Sequence, residues 1–278
     1  MKNIRLKIVL ISLAFFVILA SCKKDDQTIP PPQEPLARKI LLKDIVMPHL
    51  PSPYYHFEYN NDSVCVKANF ASGYTIYDIL YSGDKIREMR NNIIVNHDTL
   101  RYIYDNTGKL SLIKFINQEN VNYRQAKFTF DGSSINNIEW DLLSNTGDIT
   151  IDRRLSFEFY PDRNVKSIED HRYPHAGLPE STSITTYEGY DRKINVDDFS
   201  LVHDGIHDHL FLLQGFRLQK GNPAKETLVT NGVKYYTVDY NYSYNPDGTP
   251  SIKNGSLLFY SGTDSGKVFN VQTQYSYY

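Results

Sequence analysis

The sequence predicts an all-β fold: an antiparallel meander of repeated β-hairpins forming a large curled sheet or a barrel-like domain. Three observations carry this expectation. From Phe57 onward, aromatic and β-branched residues alternate with polar ones in run after run. Short polar turns separate the runs at a spacing of about 24 to 30 residues. No segment has the length and period of a crossover helix, so a parallel sheet is not expected. The chain also holds 22 tyrosines and 14 phenylalanines in 278 residues, a supply that suits a half-buried sheet whose hydroxyls reach polar groups.

The turns fix the order of elements. Asn60-Asn61-Asp62, Gly83-Asp84, Asn106-Thr107-Gly108, Asp131-Gly132, Pro161-Asp162-Arg163-Asn164, Asp191-Arg192 and Asn245-Pro246-Asp247-Gly248 each divide two alternating runs. Asp-Gly and Asn-x-Gly supply the positive φ of tight hairpins. The run from Leu100 to Leu110 shows the unit: Leu100, Tyr102 and Tyr104 share one face, and Arg101 and Asp105 the other. Phe128 with Phe130, and Phe157 with Phe159, repeat it. Seven hairpins give about fourteen strands, more than an open sheet holds without curling or splitting. Neighbours in sequence pair most easily, which favours a meander.

At the N-terminus Lys2, Arg5 and Lys7 precede an apolar run from Ile8 to Ala20. That run is short for a membrane span and suits a signal peptide. Residues 1–21 therefore read as a signal, residues 22–36 as a tether rich in proline (Pro30, Pro31, Pro32, Pro35), and residues 37–278 as a single all-β domain. Leu19-Ala20-Ser21-Cys22 resembles a bacterial lipobox. The resemblance implies cleavage before Cys22, a diacylglycerol on its thiol and an acylated amine, enough chains for stable attachment. Cys65 is then left without a disulfide partner, and Val64-Cys65-Val66 reads as a buried, inert thiol.

Charge and composition exclude some classes. The mature chain keeps 27 Lys+Arg against 32 Asp+Glu, because the signal removes three basic residues. No basic face is available for nucleic acid. An apolar share of 41% argues against disorder. A membrane-spanning barrel is not expected either. It needs an outward apolar band, whereas Arg101, Lys114, Glu139, Glu158 and Lys166 lie opposite aromatic residues, and most runs look shorter than a spanning strand.

Three stretches resemble known groups. Lys24-Asp25-Asp26 resembles the export signal of surface lipoproteins in Bacteroidota. Tyr102-Ile103-Tyr104-Asp105, with Gly108 and Leu110, resembles the YD-type repeats of bacterial surface and toxin-shell proteins. The whole plan is similar to the DUF4595-like group of Bacteroidota lipoproteins, through the segments Tyr187 to Asn195, Lys220 to Pro223 and Tyr240 to Gly248; Val196-Asp197 departs from it where a proline is expected. These resemblances imply a porin-like β domain anchored to the outer membrane, displayed at the cell surface, with a periplasm-facing orientation as the alternative. They bring no activity with them.

The densest polar cluster runs from His203 to His209. His203, His207 and His209 form a candidate metal site, set against a solvated loop reading because the spacing matches no zinc motif cleanly. His171 and His175 are a weaker pair. Nucleophile-elbow, His-Glu-x-x-His, phosphate-loop and dinucleotide signatures are missing. Asp197 and Asp198 are adjacent and so point apart in a strand. Asp62-Ser63-Val64 and Asp98-Thr99-Leu100 match a short glycosylation acceptor. No catalytic residue and no cofactor is assigned. The expectation is a lipid-anchored, non-enzymatic envelope module whose insertion around residues 199–235 presents loops to a protein or glycan. A carrier holding a small or lipidic ligand inside a barrel is the alternative, and a loop-assembled hydrolase the third reading.

Overall fold

A computed structural model describes residues 39–93, 97–175, 177–203 and 217–278. Cys22, the signal, the tether, His207 and His209 lie outside the described residues. The described strands are β1 (Leu42–Val46), β2 (Tyr55–Tyr59), β3 (Cys65–Phe70), β4 (Thr75–Ser82), β5 (Lys85–Asn91), β6 (Thr99–Tyr104), β7 (Leu110–Ile116), β8 (Asn122–Asp131), β9 (Ser134–Leu143), β10 (Ile149–Phe159), β11 (Val165–Arg172), β12 (Ser181–Glu188), β13 (Lys225–Thr230), β14 (Val233–Tyr244), β15 (Pro250–Phe259) and β16 (Val268–Tyr277). Each pairs antiparallel with its sequence neighbours, and β1 pairs with β16, so the meander closes into a barrel.

The seven turns read from sequence all fall on one rim and account for β2 to β15. The two strands beyond that expectation are those that close the barrel, through Leu42 opposite Tyr277 and Ile45 opposite Tyr275. Six strands are longer than expected: β8, β9, β15 and β16 have 10 residues, β10 has 11 and β14 has 12. Strand length therefore does not argue against a membrane span, and the distribution of charge decides the matter.

The inner face is apolar. Ile45, Tyr55, Phe57, Tyr77, Met89, Leu100, Ile113, Phe115, Ile138 and Trp140 belong to one contiguous buried cluster. The outer face is a belt of ion pairs. Asp44 meets His56 at 2.6 Å, and Glu88 meets Arg90 and Arg101 at 2.7 and 3.3 Å. Lys127 lies 3.4 Å from Glu139 and 2.6 Å from Asp141, Arg154 also pairs with Glu139, and Lys166 lies 3.2 Å from Glu158. A lipid-facing barrel has the reverse pattern, apolar outside and polar within.

A repeated device shapes the rim that carries these turns. Six of the seven connected strand pairs on this rim slip register by one residue just before the turn, at Glu58/Tyr59, Leu80/Tyr81, Ile103/Tyr104, Thr129/Phe130, Glu158/Phe159 and Ser243/Tyr244. Such a bulge strengthens twist and leaves the extra residue outside the ladder. Tyrosine hydroxyls answer it. Tyr59 donates to the Leu42 carbonyl at 2.9 Å, Tyr81 to Cys65 at 2.7 Å and Tyr104 to Ile86 at 2.8 Å. Tyr190 donates to Val165 at 2.7 Å and Tyr277 to Pro250 at 2.6 Å. In each case the donor stands at or just beyond the end of one strand and the acceptor begins the bulge of the strand before it. At the bulges that begin at Leu110 and Ile135, the corresponding positions are Phe130 and Phe159, which bring no hydroxyl.

Cys65 sits at the first of these bulges, and burial pushes its thiol up to about 12. The inert reading of that cysteine follows from the same desolvation.

Candidate functional site

The bulged rim also carries the long insertion between β12 and β13. Its described part folds on a buried polar network. Asn195 donates to Gln219 at 3.3 Å and to Asn222 at 3.2 Å, and Gln219 donates to the Tyr190 hydroxyl at 2.7 Å. Asp191 accepts from the Asn222 N–H at 2.9 Å and also receives the Tyr244 hydroxyl. The three segments singled out from sequence, around Asp191, Asn222 and Tyr244, thus meet in one place. Gly221 permits this: a Cβ there would lie 2.2 Å from the Asp191 carbonyl oxygen.

The insertion is stitched to the turn between β10 and β11. Asn164 Oδ1 accepts from the Lys220 and Gly221 N–H groups at 2.7 and 3.0 Å, and the Val165 N–H donates to the Leu218 carbonyl at 2.8 Å. Beside this seam lies a pocket of about 180 Å³. One wall is Phe130, Ser133, Ser134 and Ile135 of the β8–β9 hairpin. The other is cationic, with Arg163 from the β10–β11 turn and Arg217 and Lys220 from the insertion.

The backbone at Arg163 is unusual. Its φ is +70°, and the equivalent turn positions on this rim hold Gly108 at +84°, Gly248 at +85° and Ser63 at +58°. A left-handed conformation disfavours any residue with a Cβ by about 1 to 2 kcal/mol relative to glycine. Arg217 is steered by its donation to the Asn195 carbonyl at 3.2 Å and by Asp198 at 3.7 Å. Asp198 is buried at the start of a short 3₁₀ turn (Asp198–Val202), and desolvation raises its carboxyl to about 6 although Arg217 pulls the other way.

The expected metal site is not assembled from described residues. His203 follows the 3₁₀ turn, with Nε2 3.3 Å from the Tyr54 hydroxyl and its ring 5.4 Å from that of Phe70. That is an aromatic setting. His207 and His209 lie outside the described residues, and no group of three metal-ligating side chains occurs among the described ones. His171 lies between Thr182 and Glu180, at 3.0 Å from each. Asp197 and Asp198 diverge, although they stand at the start of a 3₁₀ turn and not in the expected strand. Asp197 accepts the Tyr275 hydroxyl at 2.6 Å, while Asp198 accepts the Leu218 N–H at 2.7 Å.

The pocket residues were not singled out by sequence reasoning. Phe130 was assigned to sheet packing and Arg163 to a turn. The available signal was an arginine where sibling turns place glycine, and it gains meaning only when the insertion folds over it.

Inside the barrel, two polar sets are prominent. Glu226 accepts from the Tyr236 and Tyr240 hydroxyls at 2.8 and 2.9 Å, and Arg153 pairs with Asp170 through two contacts of 2.8 Å. Phe269 and Val271 pair with Leu257 and Gly255 on the inner face yet keep 42% and 41% exposure, so the interior is open along that part of β16.

Together these features define a class: a closed, sixteen-stranded meander barrel, apolar within and charged without, whose rim holds a pocket with one cationic wall. Two solved structures share this fold. A porin-like protein from Bacteroides uniformis aligns with a TM-score of 0.57 at 12% identity, covering 86% of this chain and 95% of its own. A porin-like protein from Bacteroides vulgatus aligns at 0.56 and 16% identity, covering 86% and 99%. An alignment to the TcdB2-TccC3-Cdc42 toxin assembly has a TM-score of 0.29 and carries no argument about the YD-type resemblance. No family model matches the chain, and no curated protein does.

Proposed function

We propose that this protein is a lipid-anchored binding module of the bacterial outer membrane, held through Cys22 and presenting its bulged rim to a protein or glycan at the cell surface. The observation that carries the reading is the barrel's polarity. A wall bearing Glu88, Arg101, Lys127, Glu139 and Arg154 outward belongs in water, so an envelope location calls for a tether, and the lipobox supplies one. The porin-like neighbours support the fold in this setting. The rim pocket favours binding over catalysis: its lining is cations, hydroxyls and two apolar side chains, a set suited to gripping charge rather than moving protons.

Metabolic labelling with an alkyne fatty acid tests the anchor, and protease shaving of intact cells tests the exposure. The reading predicts label on the wild type, none on Cys22→Ser, and loss of the barrel on shaving. An unlabelled wild type sinks the anchor, and a barrel that survives shaving only in intact cells moves it to the periplasmic side.

A second reading, a carrier of a small or lipidic ligand, is favoured by the open apolar inner face at Phe269 and Val271. Saturable binding of a fluorescent fatty acid that Phe269→Asp abolishes would support it.

A further inference from the structure

The pocket between the β8–β9 hairpin and the insertion offers a charge-binding geometry that nothing else in the fold uses. Arg163, Arg217 and Lys220 converge on it from two distant stretches of chain, opposite the hydroxyl side chains Ser133 and Ser134. The side chains of Arg163 and Lys220 form no ion pair among the described residues. The turn's own carboxylate, Asp162, accepts from the Asn164 N–H at 3.0 Å and its amide at 2.9 Å, and Lys220 acts on it only through space, helping to hold its carboxyl below the usual range. On the outer belt, by contrast, Arg90, Lys127 and Arg154 are paired. The chain as a whole has a net charge of −2, so this positive patch is local.

The patch is also built rather than incidental. Asn164, next to Arg163, holds the Lys220 backbone, which fixes the two cations relative to one another. Arg163 occupies a left-handed position that its siblings give to glycine or serine. Strain of this kind is kept where the side chain has work to do, and it points from outlier to function. On the facing wall the bulge that begins at Ile135 is one of the two without a tyrosine hydroxyl.

We infer that this pocket binds a tetrahedral oxyanion, the phosphate or sulfate ester group of a larger ligand. Guanidinium forks, an ammonium and hydroxyl donors match the several oxygens of such a group. At about 180 Å³ the pocket is smaller than the roughly 300–1,000 Å³ that encloses a whole ligand, so it grips one substituent while the remainder lies across the rim. The inference rests on the reading of the rim as the binding face and gives that face its ligand chemistry.

The test uses the full-length lipidated protein in detergent. Calorimetric titration with inorganic phosphate, sulfate and glucose 6-phosphate, at matched chloride, is expected to show saturable binding. Co-sedimentation of the unlipidated Cys22→Ser protein, free of detergent, with vesicles containing phosphatidic acid but not with phosphatidylcholine vesicles separates a lipid headgroup from a soluble ester, and capture of either source supports the site. Lys220→Ala and Arg163→Gly are each expected to weaken binding at least tenfold. Arg163→Gly must do so without lowering the melting temperature, because glycine suits that turn. Absence of saturable binding to every probe overturns the inference, as does equal binding by both variants. Phosphorus NMR of glucose 6-phosphate in the same samples keeps the two readings apart: release of inorganic phosphate would contradict a non-enzymatic module and leave the pocket standing, whereas failed fatty-acid labelling would remove the anchor and leave it too.

Discussion

The Tyr104 hydroxyl donates to the Ile86 carbonyl at 2.8 Å, reaching from the end of β6 across to the bulge that opens β5. The same reach recurs from Tyr81 to Cys65 and from Tyr59 to Leu42. Tyrosine at these positions therefore fills the inner face with its ring and completes the backbone accounting at a bulge with its hydroxyl.

Tyr104→Phe removes one such bond while keeping the ring. The expected loss is about 1 kcal/mol, the net value of a typical hydrogen bond plus some cost for the carbonyl left behind. Thermal unfolding should move down by roughly 2–4 °C in a domain of this size. An unchanged midpoint would mean that water replaces the hydroxyl without penalty.

Arg163→Gly relieves a positive φ of 70° and should stabilise the fold by about 1 kcal/mol. Chemical denaturation checks this. Destabilisation would show that the guanidinium contributes more to the rim than the backbone strain takes away.

Gly221→Ala places a methyl group 2.2 Å from the Asp191 carbonyl oxygen, with backbone rather than a flexible side chain in the way. The insertion must then lift from its seat on Asn164. A loss of about 2 kcal/mol or more is expected, together with faster proteolysis around residues 217–222. Wild-type stability would contradict the seam.

Asp198 makes the fold sensitive to pH in a defined direction. Burial raises its carboxyl from an ordinary 3.8 to about 6. A folded value above the unfolded one means that the native state holds the proton more tightly. The contribution of this one group to stability is therefore greatest below about pH 4, declines as pH rises through the interval to 6, and is flat beyond it, with an amplitude on the order of 2–3 kcal/mol. Asp198→Asn should remove that slope and keep the acceptor for the Leu218 N–H. The check is denaturant unfolding of both forms at pH 4, 5, 6 and 7; identical slopes would contradict the assignment.

Much of this fold was legible because hairpin turns are local. Gly108, Gly132 and Gly248 supply positive φ inside short polar stretches, and the period-two runs beside them need nothing remote to be recognised. Closure was less legible. β1 meets β16 across the whole chain, and neither Leu42 nor Tyr277 carries a local sign of the other. Strand lengths were underread because bulges such as Ile151/Arg153 within β10 interrupt the alternation that marks a strand. The pocket was the least legible feature. Arg163 and Lys220 come together only after Asn164 captures the insertion, and the loss of a tyrosine at Phe130 and Phe159 has meaning only in the barrel's register. Of the histidine cluster only His203 lies among the described residues, with its ring against Tyr54 and Phe70.

The polarity of the barrel wall is tested most directly by fractionating cells that express Cys22→Ser with an intact signal for export. A barrel with ion pairs such as Lys127–Glu139 facing outward should leave the membrane pellet and appear in the aqueous fraction, folded and rich in β structure by circular dichroism. Retention of that variant in the pellet through carbonate washing, as an integral protein behaves, would show that the wall faces lipid after all.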